Sequence, residues 1–489
     1  MPSPRLFKPA TYARLPRWRG FNLLEKFTLE GDRPYVEWDL DFMAEWGFDF
    51  VRLPTDYRIW TTAPDVYREQ PLKEIDQVIS WARQRGIHVN LCLHRAPGYC
   101  VNAPKEPLDL WADGSSGQEA RRQFAAQWRM FAARYRGIPS AELSFNLVNE
   151  PPNVTADQYV RVAAAAVSAI WQGDPDRLII ADGADYGMRP VPELAPLRIA
   201  QSTRGYTPML VTHYRASWVD GSDAWPVPTW PILASISQYL YGDEKPELKS
   251  PLVLKTDLIR ATEMTIKVHQ VSHQARLVVQ ADGVTVLEQW LQPGPGRGEW
   301  QESTFKPEWG IYQAVYDKAY TATLPAHTRE IRFEVTTGDW LTFSEIRLSP
   351  YPGAPGGQLV LRPGEAGWGL TQEAFTVDAQ GKLAPVSGRM RYSRETLWTD
   401  WVEPWKAFAA TGVGVHVGEW GAYSYTPHTV VLAWMSDRLR NWQQAGMGWA
   451  LWNLRGGFGL LDSDRADVLY EPYRGHRLDR KMLELLRQG

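Results

Sequence analysis

Two glutamates occur in closely matched settings, each directly behind a short apolar run: Leu147-Val148-Asn149-Glu150-Pro151 and Val417-Gly418-Glu419-Trp420-Gly421. A carboxylate that ends a buried strand is held in place and partly out of water, and acid–base or nucleophilic chemistry needs both conditions. A single glutamate of this kind is more often a salt-bridged or solvated residue. A facing pair is different, because carboxyls about 5 Å apart can serve as nucleophile and acid/base in cleaving a glycosidic bond with retention of configuration. The other side chains able to do chemistry after apolar runs are Asn22, Glu25, Arg52, His94, Asn149, Asp182, His213, Tyr214, Trp452 and Asn453. Of these, Asp182 reads as structural. Neither His94 nor His213 has a second histidine at metal-ligand spacing, so no metal is expected.

These residues need a frame that brings distant parts of the chain together. From Arg19 to about Thr207 short apolar runs alternate with longer amphipathic ones, and the same texture returns after about residue 395. Strands are expected to begin near residues 20, 48, 87, 142, 177, 209, 413 and 448, the sixth over Met209–His213. Helices are expected between them, for instance Val36–Trp46, Leu72–Gln84 and Ala156–Trp171. Eight strand–helix units make an α/β fold, a closed (β/α)8 TIM barrel, whose chemistry sits at the C-terminal ends of the strands. Strands four and seven face each other across such a barrel, so Glu150 and Glu419 would approach from opposite sides.

Between the two barrel segments the pattern changes to period-two alternation, as in Met264-Thr265-Ile266-Lys267-Val268 and Glu330-Ile331-Arg332-Phe333-Glu334-Val335. Such alternation, broken by Gly/Pro turns, predicts short strands packed as a β-sandwich. The expected division is a barrel over 1–250 and 360–489, with a sandwich over 251–359 inserted after the sixth barrel strand. The sandwich could be a carbohydrate-binding module, a part of the cleft wall, or a spacer.

In this order along the chain, Arg52, His94, Asn149-Glu150-Pro151, His213, Gly418-Glu419-Trp420-Gly421 and Trp452 resemble glycoside hydrolase family 5, the cellulase-like group of retaining (β/α)8 hydrolases. The resemblance spans roughly residues 17–250 and 360–485. It implies that Glu150 is the acid/base and Glu419 the nucleophile, that Asn149 meets the sugar 2-hydroxyl, that Arg52 holds Glu419, that His94 lines the reacting sugar above a Trp452 floor, and that His213 assists the acid/base region. The family pattern puts a tyrosine two residues after this histidine, whereas here position 215 is Arg and Tyr214 follows directly, so Tyr214 is the expected partner of the nucleophile. The resemblance implies hydrolysis of β-1,4-glucan or cello-oligosaccharides without a cofactor. β-Mannan, mixed β-glucan and exo-acting variants of the same mechanism stay open, as does an inactive barrel that only binds carbohydrate.

Composition agrees with a carbohydrate partner and against others. Lys plus Arg number 53 and Asp plus Glu 56, for a net charge of -3, which gives nucleic acid or an anionic membrane nothing to grip. No run of 18 apolar residues is present. The two cysteines, Cys92 and Cys100, read as free thiols, and the basic, proline-containing start of the chain does not read as a secretory signal, so a cytoplasmic location is expected unless a leader has been removed. Aromatic residues are the outlier, with 24 Trp, 21 Tyr and 15 Phe. Trp38, Trp46, Trp81, Trp128 and Trp171 on amphipathic helices are expected in the core. Trp218, Trp225 and Trp230, in a proline-rich connection, are expected to stack on sugar rings.

Overall fold

The computed structural model describes residues 6–365 and 367–489; the first residues of the basic N-terminal segment, Arg5 among them, lie outside the described residues. The chain divides into two compact units, residues 1–231 with 393–489, and residues 232–392.

The first unit is a closed parallel barrel. Its strands are β1 (Arg19–Asn22), β2 (Phe50–Asp56), β3 (His88–Ala96), β4 (Leu143–Asn146), β5 (Leu178–Asp182), β6 (Ala200–Gly205), β7 (Val415–Trp420) and β8 (Gly448–Leu451). Each pairs in parallel with the next, and β8 pairs back to β1, so no edge is left open. Around the strands lie α1 (Glu37–Trp46), α2 (Glu69–Gln84), α3 (Gly114–Arg134), α4 (Ala156–Gly173), α5 (Glu403–Ala409), α6 (His428–Ala445) and α7 (Arg480–Gln488). Their starts and stops follow local chemistry. A reciprocal Thr155–Gln158 capping box opens α4, and left-handed glycines at 47 and 446 end α1 and α6. At the N-terminal end of the barrel, Trp18 stacks on His88 at 3.8 Å and packs with Phe50, Leu178 and Ala450, with Tyr12 and Leu15 of the entering segment against them.

Two sequence expectations change here. The sixth strand is Ala200–Gly205, and Met209–Thr212 is a single helical turn. The expectation followed apolarity, and β6 (Ala-Gln-Ser-Thr-Arg-Gly) is polar on both faces: Ser202 accepts from Arg204 on one, and on the other Gln201 bridges the backbone N–H and carbonyl of Val191 and Thr203 donates to the Gly187 carbonyl. Trp38, expected in the core, is 56% exposed, because α1 buries Asp39, Leu40, Phe42, Met43 and Trp46 and residue 38 falls off that face.

The second unit lies between β6 and β7 in sequence. It contains two 20-residue antiparallel strands, Thr262–Ala281 and Glu330–Ser349, where several short ones were expected. Register shifts bend them, and at one, between Ser272 and Ala275, Gly338 approaches so closely that a Cβ there would sit 2.1 Å from the Gln274 carbonyl oxygen. Alternating Met264, Ile266 and Val268, then Leu277, Val279 and Ala281, fill a core of their own with Phe333, Val335 and Leu341. Residues 232–250 and 360–392, read from sequence as barrel, pair into this unit: Tyr239–Tyr241 and Leu359–Leu361 add to Glu330–Ser349, and Ala374–Val377 adds to Leu252–Lys255.

Candidate active site

The fourth and seventh strands deliver the two glutamates. After β4 the chain turns sharply, and Glu150 has φ +46°, a left-handed conformation that costs a non-glycine residue about 1–3 kcal/mol. Both of its backbone groups are tied down. Its N–H donates to Asp182 Oδ2 at 2.9 Å, and its carbonyl accepts from the Tyr99 hydroxyl at 2.6 Å. Its carboxylate accepts from Arg204 Nε at 2.9 Å. Glu419, on β7, is the more deeply buried: its side chain is 4% exposed against 17% for Glu150. Its Oε1 takes Arg52 Nη1 at 2.5 Å and lies 3.4 Å from Arg204 Nη2, and its Oε2 accepts from the Tyr206 hydroxyl at 3.2 Å.

Arg52, wholly buried on β2, uses its whole donor fork. Besides Glu419 it donates to Asn146 Oδ1 at 3.0 Å, Asn22 Oδ1 at 3.1 Å, Cys92 Sγ at 3.0 Å and Asn149 Oδ1 at 2.8 Å. Such a fork fixes the carboxylate in direction as well as in charge. Asn149 Oδ1 accepts from both Arg52 and Arg204, at 2.8 Å each, while its buried Nδ2 has no protein partner. The amide is thus held from one side with a free donor on the other. Cys92 and Cys100 are free thiols, and burial pushes the Cys92 thiol up to about 12.

Asp182, set aside as structural in the sequence, is a hub of this centre. Fully buried at the end of β5, it accepts from Arg204 Nη2, the Glu150 N–H and Asn146 Nδ2. Burial pushes its proton affinity up, but Arg204 and Arg52 outweigh burial and hold the carboxyl below the usual range. Glu150 goes the other way: burial first and the neighbouring Glu419 second raise it to about 7, against the pull of Arg204.

His213 does not end the sixth strand. It follows the helical turn, bonds Thr212 Oγ1 through Nδ1 at 2.8 Å and packs edge-on behind Tyr206 at 5.2 Å. Tyr214 is buried, and among the described residues the hydroxyl on Glu419 is that of Tyr206. With β6 at 200–205 the family spacing reappears: the strand ends Arg204-Gly205-Tyr206, with the tyrosine two residues on and an arginine in the histidine's place. Anchoring on that spacing rather than on the histidine would have found both residues. His94 is buried; its Nε2 meets Asn102 Oδ1 at 3.0 Å, and its ring lies 4.5 Å from Phe27 and 5.8 Å from Trp452. Burial lowers it to about 4, so it is neutral.

Of the three loop tryptophans, Trp218 joins the aromatic group of His213, Tyr423 and Phe458, with its exposed ring 4.7 Å from Tyr423. Trp230 is bonded to Asp437 on α6 at 2.9 Å, and among the described residues no ring contact links Trp225 to the Trp218 group. Among the described residues no group of three His, Cys, Asp or Glu side chains is arranged to hold a metal ion, and no helix is long and apolar enough to cross a membrane.

Residues 18–208 match the cellulase family model, glycosyl hydrolase family 5. Endoglucanase C of Acetivibrio thermocellus is 29% identical over 197 residues, 39% of this chain and 55% of the relative; the chain thus spans about half the length of the curated relatives it matches. Among solved structures, one of a glycoside hydrolase is 28% identical, with a TM-score of 0.60 over 96% of this chain and 99% of that one. Cel5A of Thermotoga maritima, in complex with cellobiose, is 16% identical with a TM-score of 0.53 over 96% of each chain and shares the fold.

Proposed function

We propose that this chain, whose residues 18–208 match the glycosyl hydrolase family 5 model, is a retaining β-glycoside hydrolase of that kind acting on β-1,4-linked glucan or cello-oligosaccharides. The observation that carries the reading is the pair of glutamates on the fourth and seventh strands, both reached by one guanidinium, that of Arg204. Their environments differ as the two roles require. Glu150 is raised to about 7 and so holds a proton near neutrality, while Glu419 faces two guanidiniums. With Oε1 of Glu419 engaged by Arg52, Oε2, which carries only the Tyr206 hydroxyl, is the oxygen free to attack.

In the first step Oε2 bonds to the anomeric carbon while Glu150 passes its proton to the departing glycosidic oxygen. In the second, Glu150 takes a proton from water, whose oxygen displaces Glu419 from the sugar. The free Nδ2 of Asn149 suits a hydrogen bond to the sugar 2-hydroxyl, which strengthens as positive charge develops on the ring. Trp452, with Phe27 and His94 around it, offers an apolar face to the sugar ring, and Trp218 extends an aromatic surface on the Tyr206 side. The glucan assignment follows the endoglucanase relative rather than any contact in the site.

The test is a screen on cello-, manno- and laminari-oligosaccharides with product sizing, together with NMR of the first product anomer. The reading expects cello-oligosaccharide cleavage with β product formed first. Initial release of α product would overturn the mechanism, preference for manno- or laminari-oligosaccharides the substrate, and absence of turnover would favour a binding-only barrel.

A further inference from the structure

The turn that carries Glu150 is held in a conformation its sequence disfavours. Glu150 has φ +46°, and the residue after it is Pro151, whose ring favours an extended backbone with negative φ in the residue before it. A left-handed residue other than glycine persists only where its surroundings overdetermine it, and such residues gather at functional sites. Here four hydrogen bonds fix three successive residues. The Asn149 N–H donates to the Leu93 carbonyl at 3.1 Å, the Glu150 N–H to Asp182 Oδ2 at 2.9 Å, the Tyr99 hydroxyl to the Glu150 carbonyl at 2.6 Å, and the Tyr186 N–H to the Pro151 carbonyl at 2.8 Å. The bond from Tyr99 has a particular weight. A peptide link to proline has no N–H, so the Glu150 carbonyl is the only polar handle on the Glu150–Pro151 peptide, and Tyr99 holds it.

Tyr99 lies between β3 and α3 and is itself fixed. Its neighbour Gly98, at φ +84°, packs so closely that a Cβ there would lie 2.7 Å from the Ala120 Cβ on α3 and 2.8 Å from the Leu110 nitrogen. The Tyr99 ring stands edge-on to Trp111 at 5.4 Å, Trp111 stands edge-on to Tyr159 of α4 at 5.6 Å, and the Tyr159 hydroxyl donates to the Asp182 carbonyl. Asp182 in turn takes the Glu150 N–H, so the contacts close a ring that grips Glu150 from the β3 side and the β5 side. Burial above all raises the Tyr99 hydroxyl beyond its ordinary range, which keeps it a donor.

We propose that Tyr99 is a positioning residue for proton donation: by holding the Glu150 carbonyl it keeps the Glu150–Pro151 peptide in the orientation that aims the Glu150 carboxyl at the departing glycosidic oxygen. The inference rests on the reading of Glu150 as the acid. Without the hydroxyl, φ of Glu150 relaxes toward the negative values that Pro151 favours, and the Cβ, with the carboxyl beyond it, swings off its line. A displacement of about 1 Å at a reacting group costs on the order of 100-fold in rate. Glu419, fixed by Arg52 and Tyr206, lies outside the ring of contacts and keeps its place. The loss therefore falls on proton delivery and spares nucleophilic attack.

The experiment compares kcat/KM of the full chain, which reports the first step, on two leaving groups. Dinitrophenoxide departs without a proton, whereas phenoxide needs one. Tyr99→Phe keeps the ring against Trp111 and removes only the hydroxyl. It should leave kcat/KM on dinitrophenyl β-cellobioside within about twofold of wild type and lower it about 10-fold or more on phenyl β-cellobioside. Replacing Tyr99 by 4-aminophenylalanine, whose N–H can donate to the same carbonyl, should restore at least about half of the wild-type rate on the phenyl substrate. Equal losses on both substrates, as from a tyrosine that only braces the loop, or no loss on either, overturn the proposal. Glu150→Ala, run beside these variants, separates the two claims. If it spares the dinitrophenyl substrate alone while Tyr99→Phe does not discriminate, the positioning role falls and the acid assignment stands. If Glu150→Ala loses the same factor on both substrates, the acid assignment falls and the proposal with it.

Discussion

Glu150 and Glu419 are the same residue type, both in reach of Arg204, and what separates their proposed roles is which donors each oxygen meets. Glu150 meets one arginine that it shares with two other acids, and burial and Glu419 raise it to about 7. In the proposed mechanism Glu150 is protonated in the first step, so kcat/KM should fall with rising pH through a basic limb near 7, because the acid form is lost above its midpoint. A pH–rate profile on an aryl β-cellobioside checks this, and a basic limb that tracks another group would persist in Arg204→Lys and Arg204→Gln alike. The Tyr206 hydroxyl is the only protein donor on Oε2 of Glu419 among the described residues. A hydrogen bond to a charged group contributes about 1.5–3 kcal/mol, so Tyr206→Phe should lower kcat about 10- to 100-fold, whereas Tyr214→Phe should leave it within about twofold. Equal losses in both would contradict the placement of Tyr206.

At the scale of elements, the site depends on the shift in β6–β7 register between Val417 and Glu419, where Gly418 leaves space for Arg204. Gly418→Ala should displace the guanidinium and cut turnover at least about 100-fold with the barrel still folded, as circular dichroism and a single melting transition would report; full activity in that variant would mean Arg204 can shift at no cost. How much of this was legible in the sequence differs by strand. β1 to β5, β7 and β8 announce themselves as apolar runs, and they deliver Arg52, His94, Asn149, Glu150, Glu419 and Trp452 to one end of the barrel. The sixth does not, since a strand that hydrogen-bonds on both faces, Ser202 and Arg204 on one and Gln201 and Thr203 on the other, carries no hydrophobic signature, while the apolar Met209–Thr212 next to it is one helical turn. That displacement carried the expectation onto His213 and Tyr214 and hid Arg204 and Tyr206. Asp182 was visible but not readable, because its importance comes from partners on β4 and β6 that only the fold brings together.

On the scale of the whole molecule, the aromatic excess divides by place. Trp18, Trp60, Trp128, Trp405, Trp420, Trp434 and Trp449 are fully buried in the barrel unit, whereas Trp218 presents an open ring. The unit of residues 232–392 has its own core, and the strands at its two ends, Ile232–Leu233 and Met390–Tyr392, pair with each other. Excised as residues 232–392 it should therefore fold alone, with cooperative thermal unfolding and a dispersed amide NMR spectrum; a disordered spectrum would show that it needs the barrel. The central claim concerns the barrel, that Glu419 forms a covalent bond to sugar and Glu150 does not. The most direct measurement is mass spectrometry of peptides from protein treated with an activated 2-deoxy-2-fluoro-β-cellobioside. The account predicts one added sugar moiety per chain, on the peptide containing Glu419 and absent in Glu419→Gln; label on the Glu150 peptide, or no label in a protein that turns over the parent cellobioside, would contradict it.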